Sequence, residues 1–123
     1  MHKDSDFKLY VETQNYSRYI RKYILPNIPN VHRDLRIHFT DENYSLMRNL
    51  VAAQSTKGNI RLKYITEMII NIKMLDLISS DIRDFCPEIK KYIDKSIGNL
   101  ALIKNMTFRW KQNPEHDESQ REE

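Results

Sequence analysis

Proline and glycine stand almost only at the joints of this chain. Pro26, Pro29, Pro87 and Pro114 bound long stretches in which apolar residues recur every three or four positions. Of the two glycines, Gly58 lies between two such stretches and Gly98 inside the last. Proline lacks the helical N–H and glycine weakens a helix interior, so a chain using them as punctuation specifies long helices. The expectation is an all-α, up-down antiparallel four-helix bundle over residues 1–112, followed by a disordered acidic tail over 113–123.

Helix 1 is expected over about 6–25, with Leu9, Thr13, Tyr16, Ile20 and Tyr23/Ile24 on one face. The Leu25-Pro26-Asn27-Ile28-Pro29-Asn30 stretch ends it, because residues before proline avoid the α region. Helix 2 (about 30–54) begins at Asn30, a good N-cap, and buries Val31, Leu35, Phe39, Leu46, Leu50 and Ala53. Its stripe has a polar gap at Glu42/Asn43. Thr40 before Asp41-Glu42-Asn43 also fits an N-cap, so a break near Phe39 is the alternative to one continuous helix. Gly58 suits a left-handed cap at its C-terminal end.

Helix 3 (about 60–84) is the most apolar. Leu62, Ile65, Ile69, Ile72 and Leu75 make one stripe, and Ile70, Met74, Leu77 and Ile78 make a second around the axis. A helix apolar over more than half its circumference is buried on two sides, so the second stripe is expected to meet another subunit. Helix 4 (about 87–112) opens on Pro87 and Glu88, then carries Ile89, Ile93, Ile97, Leu100, Ile103, Thr107 and Trp110. Close approach to a neighbouring helix is the expected reason for Gly98.

The chemistry of most enzymes is missing. His2, His32, His38 and His116 keep no metal-ligand spacing with Cys86 or with carboxylates, and no Glu-x-x-His stands on a helix. Two glycines make no phosphate-cradling loop. No catalytic residue, metal or cofactor is expected, and Cys86 reads as a structural turn residue. A single cysteine, no apolar run of about 20 residues and no apolar leader near Met1 point to the cytoplasm.

Charge gives the positive signal. The formal net charge is +3, but residues 1–112 hold 19 of the 20 Lys/Arg against 12 of the 17 Asp/Glu, a net of +7. Arg18, Arg21 and Lys22 end helix 1, and Arg33 and Arg36 begin helix 2. A turn folding one helix on the other is expected to gather these five. Arg48, Arg61, Lys63 and Lys73 extend the basic surface. With Tyr10, Tyr16, Tyr19, Tyr23 and Tyr44 in the same half, this composition suits phosphate contact and base stacking. Tyr16 and Tyr23 read as core residues. No base-reading motif accompanies the charge, so binding to RNA or DNA is expected to be insensitive to sequence.

From about Tyr16 to Trp110 the chain resembles a family of small bacterial four-helix bundles. That family contains the proteins encoded in intervening sequences of large-subunit ribosomal RNA genes. It also contains the accessory variability determinant proteins of diversity-generating retroelements. The resemblance lies in Ile24-Leu25-Pro26-Asn27-Ile28-Pro29, Leu50-Val51-Ala52-Ala53, Leu62-Lys63-Tyr64-Ile65 and Ile97-Gly98-Asn99-Leu100. Asn99 stands where the family often has arginine, and the Gly-Trp that commonly follows is missing. The basic body favours the retroelement branch. Membership there implies a homopentamer that binds reverse transcriptase and nucleic acid during mutagenic copying and does no catalysis itself. The alternative is an intervening-sequence-type interaction module with no retroelement role.

Overall fold

Residues 7–115 are described by a computed structural model of the chain. Four α-helices run over Lys8–Tyr19 (α1), Arg33–Gln54 (α2), Gly58–Phe85 (α3) and Lys90–Gln112 (α4), and no strand occurs among the described residues. The connections are short, so each helix returns along the one before it and the four form a helical bundle. α3 packs on both α2 and α4, and α1 closes against α4.

The first stripe is buried largely as its spacing demands. Leu9, Thr13, Tyr16, Ile20 and Ile24 are inaccessible, and Ile28 follows them inward. From Tyr16 to Ile28 the buried positions recur at a strict interval of four. An α-helix advances 400° in four residues and would rotate such a stripe off the core. The chain answers with a π-helical turn at Ile20–Ile24, closed by the Leu25 N–H donating to the Ile20 carbonyl. This wider turn departs from the regular helix expected to residue 25. Leu25 stays helical although Pro26 follows; the chain first becomes extended at Ile28, before Pro29.

α2 is continuous through Thr40, whose hydroxyl donates back to the Arg36 carbonyl at 2.8 Å instead of capping a new helix. Its start differs from expectation. Asn30–His32 form a 3₁₀ turn, Val31 is 80% exposed, and the Asn30 side chain accepts from Arg36 rather than capping. The polar gap at Glu42/Asn43 has a structural cause. Asn43 is buried and donates to Ser17 Oγ at 2.7 Å, while Glu42 Oε2 accepts from Asn71 Nδ2 at 2.6 Å. Asn71, itself buried on α3, also donates to Ser45 and accepts from Asn49. A one-turn slip of α2 along α3 would orphan these groups, so the network fixes register.

α3 buries Ile65, Met68, Ile69, Ile72, Leu75, Ile78, Ser79 and Ile82. Ile78 therefore belongs to the subunit core and not to the second apolar stripe. Ile70, Met74 and Leu77 remain on the opposite side, 51%, 39% and 57% exposed. Beside Ser79, the Tyr16 hydroxyl is enclosed without a hydrogen-bond partner, and burial pushes its phenol well above the usual tyrosine range.

Both glycines depart from expectation. Gly58 does adopt a left-handed φ of +59°, but it opens α3; α2 has already ended at Gln54. Gly98 approaches no neighbouring helix, since a Cβ built there meets nothing within 4 Å. Opposite outcomes follow for the same substitution. Gly58→Ala should lower stability by about 1–2 kcal/mol through backbone strain alone. Gly98→Ala should raise it by about 1 kcal/mol through helix propensity. Urea unfolding of the two variants measures both.

Candidate nucleic-acid interface

The end of α1 lies beside the middle of α2, and the expected basic cluster is divided accordingly. Arg21 donates to the Tyr44 hydroxyl and places its guanidinium carbon 5.5 Å from that ring's centre. One turn beyond Tyr44, Arg48 lines a shallow surface dip with Asp41, Tyr44 and Ser45. Arg36 turns inward instead, with Nη1 donating to the Ile28 carbonyl at 3.2 Å and Nη2 to Asn30 at 3.4 Å. It holds the proline turn closed. Arg18, Lys22 and Arg33 are exposed.

Arg61 is also committed to the fold. Its Nε donates to the Ala53 carbonyl at 2.8 Å and its Nη2 to the Gln54 carbonyl at 3.4 Å, satisfying groups that the end of α2 leaves open. Nη1 donates to the Pro114 carbonyl at 2.8 Å and lies 3.9 Å from Glu115 Oε2. The guanidinium carbon stands 5.6 Å from the Trp110 ring centre, and Trp110 Nε1 also donates to the Pro114 carbonyl. Glu115 Oε1 accepts from the Gly58 N–H at 2.7 Å. Residues 113–115, expected to begin a disordered tail, are thus clasped across the end of α2 and the start of α3. The rest of that tail lies outside the described residues.

Lys73 stands apart in a cleft of about 230 Å³ between α3 and α4, beside Asp76 and Lys104. Lys63 is exposed, its ammonium 5.7 Å from the centre of the Tyr64 ring. Of the expected nucleic-acid contacts, only Arg61 has a carboxylate ion-pair partner among the described residues.

The densest grouping of cations with aromatic rings was not singled out by the sequence reading. Tyr19, Tyr23, Lys91, Tyr92 and Lys95 line an open groove of about 560 Å³ between the π-helical turn and the start of α4. Tyr23 and Tyr92 stack with ring centres 5.4 Å apart and planes 13° from parallel; Tyr19 tilts against Tyr23 at 4.9 Å. The ammonium groups of Lys95, Lys91 and Lys22 stand 5.3, 5.2 and 5.3 Å from the ring centres of Tyr19, Tyr92 and Tyr23. Burial, then the neighbouring Tyr23 and Tyr92, raise the Tyr19 phenol above its ordinary range. Tyr23 is therefore a groove residue and not a core residue.

A sequence signal for this groove exists. Arg18-Tyr19-Ile20, Lys22-Tyr23-Ile24, Lys63-Tyr64-Ile65 and Lys91-Tyr92-Ile93 repeat one triplet of basic residue, tyrosine and isoleucine. Each isoleucine is fully buried. Successive helical residues are about 100° apart, so an inward isoleucine sets tyrosine at the rim and the basic residue outside.

Other chemistry is sparse. Cys86 is buried and burial pushes its thiol up, which suits a structural residue. No three His, Cys, Asp or Glu side chains gather as a metal site, and no helix is long and apolar enough to cross a membrane, among the described residues. In comparisons with family models, curated proteins and solved structures, nothing matches the chain.

The arginines should separate by role. Arg61→Gln should cost about 1.5–3 kcal/mol, the range for hydrogen bonds to charged groups. Arg18→Gln and Arg33→Gln should change stability by no more than about 0.5 kcal/mol. Thermal melts of the three variants provide the comparison.

Proposed function

We propose that the protein is a non-catalytic cytoplasmic accessory protein that binds nucleic acid through its basic surface. The observation that carries this reading is the pairing of exposed cations with tyrosine rings along α1, the π-helical turn, α2 and the start of α4. Surface charge kept only for solubility has no need of aromatic rings beneath it. Phosphates are met by Arg18, Arg21, Lys22, Arg33, Arg48, Lys91 and Lys95, while Arg36 and Arg61 serve the fold. The resemblance to accessory variability determinants supplies the setting: a reverse transcriptase partner, template RNA or its cDNA, and a homopentameric ring.

In that ring the exposed Ile70, Met74 and Leu77 stripe is covered by a neighbouring subunit. Burying one such side chain is worth about 1.5–3 kcal/mol. Met74→Asp and Leu77→Asp should therefore dissociate the assembly while leaving subunit helicity unchanged, whereas Ile78→Asp should unfold the subunit. Sedimentation of the parent as a monomer at micromolar concentration overturns the oligomer.

Binding to RNA and DNA should be tolerant of sequence and should weaken steeply with salt, by a slope of about 0.7–0.9 per phosphate neutralised. Replacing Arg18, Arg21, Lys22 and Arg33 together with Gln should lower affinity and flatten that slope. Fluorescence anisotropy across a salt series tests it, and an affinity indifferent to salt refutes it. Co-purification with the reverse transcriptase encoded beside this gene tests the partner, and a locus without one leaves the intervening-sequence reading.

A further inference from the structure

We propose that the groove between the π-helical turn and α4 is a single-strand site, in which unpaired bases stack on Tyr19, Tyr23 and Tyr92 while Lys22, Lys91 and Lys95 hold the adjoining phosphates. The inference rests on the nucleic-acid-binding reading above and adds a place, a strand form and a mode of contact.

Three features of the groove select this ligand. Its floor is aromatic, with two rings stacked almost in parallel and a third tilted against them. Its rim is cationic, with an ammonium group 5.2–5.3 Å from the centre of each ring. Its lining contains no carboxylate. The nearest acid on this part of α4, Asp94, is held by Lys90 at 2.6 Å and Arg83 at 3.3 Å, and so does not neutralise Lys91 or Lys95. A ligand complementary to such a surface is planar, apolar on its faces and anionic at its edge. A nucleotide has that form.

The strand form follows from access. Bases paired in a duplex are stacked on their neighbours and present no free face to a protein ring. Tyr19, Tyr23 and Tyr92 are half-buried beneath lysine side chains, so the backbone of a duplex reaches the ammonium groups and not the rings. An unpaired strand reaches both. Each lysine is a flexible point charge that can leave its ring for a phosphate, freeing the ring face for a base. One cation–π contact is exchanged for an ion pair and a stacked base. The lining offers phenols and ammonium groups without an Asn, Gln or Arg fork to read base edges, so any base is accepted.

The experiment compares fluorescein-labelled oligo-uridine with a labelled RNA duplex of equal length, by anisotropy over a salt series. The proteins are the full chain and its Tyr92→Phe, Tyr92→Leu, Tyr19→Leu and Lys91→Gln/Lys95→Gln variants, each checked for helicity by circular dichroism. The parent should prefer the single strand. Tyr92→Phe should match it, because the ring is retained. Tyr92→Leu and Tyr19→Leu should each lose about five-fold or more in single-strand affinity, with the salt slope and the duplex affinity unchanged. Lys91→Gln/Lys95→Gln should lower the single-strand salt slope by about 1.4. If the leucine variants bind oligo-uridine as well as the parent, the stacking site is overturned while the phosphate-binding reading stands. If the parent binds neither probe, both are overturned. Should a leucine variant lose its helicity, the lysine pair decides: an unchanged affinity and slope in that exposed double variant overturns the site.

Discussion

Burial of α3 between α2 and α4 is the constraint on which the other parts of the structure depend. Its inward arc from Ile65 to Ile82 is continuous, and the helices on either side are positioned by having to cover it. Hydrophobic contact is indifferent to small slides along the axis. The Asn71 network with Glu42, Ser45 and Asn49 is not, because buried polar groups lose partners on sliding. Together they give α2 and α3 one register. That register sets the positions of Tyr44 and Arg48, where the end of α1 is received. At the other end of the same hairpin, Arg61 closes the end of α2 and draws Pro114 and Glu115 across it.

The cations divide by what surrounds them. Arg36 and Arg61 face backbone carbonyls left open by a turn and by a helix end, and a guanidinium with its fixed fork of donors suits that task. The lysines of the groove face only rings. Because an ammonium over a phenol is worth about 0.5–1 kcal/mol at an exposed site, those contacts order the lysines without committing them. Such charges are available to an anionic partner at little energetic cost, whereas withdrawing Arg61 would leave several polar groups unsatisfied.

The helices were legible in the sequence because each apolar stripe needed only the helical period to be found. The proline and glycine joints held to within a few residues. What escaped was information carried by distant partners. Ile78 sits at the edge of two stripes, and only the packing of α2 and α4 decides that it turns inward. Asn43 and Glu42 interrupt a stripe and resemble a helix break until Ser17 and Asn71 are placed opposite them. Arg61 reads as a surface charge until the chain beyond α4 returns to it. The tyrosine groove draws on residues from α1, the π-helical turn and α4, yet its local sign, a basic residue followed by tyrosine and isoleucine, was present in the letters.

The π-helical turn gives the first quarter of the molecule an unusual relation to changes in chain length. A wide turn of this kind holds one residue more than the α-helical path it replaces. Loss of a single residue from Ile20–Ile24 would therefore leave a continuous helix, yet rotate everything before it by about 100° relative to everything after. Helix content would be kept while Tyr19 swung away from Tyr23 and the buried Tyr16 turned toward solvent. In this segment the count of residues, more than their helical propensity, keeps the core and the aromatic groove on their proper sides.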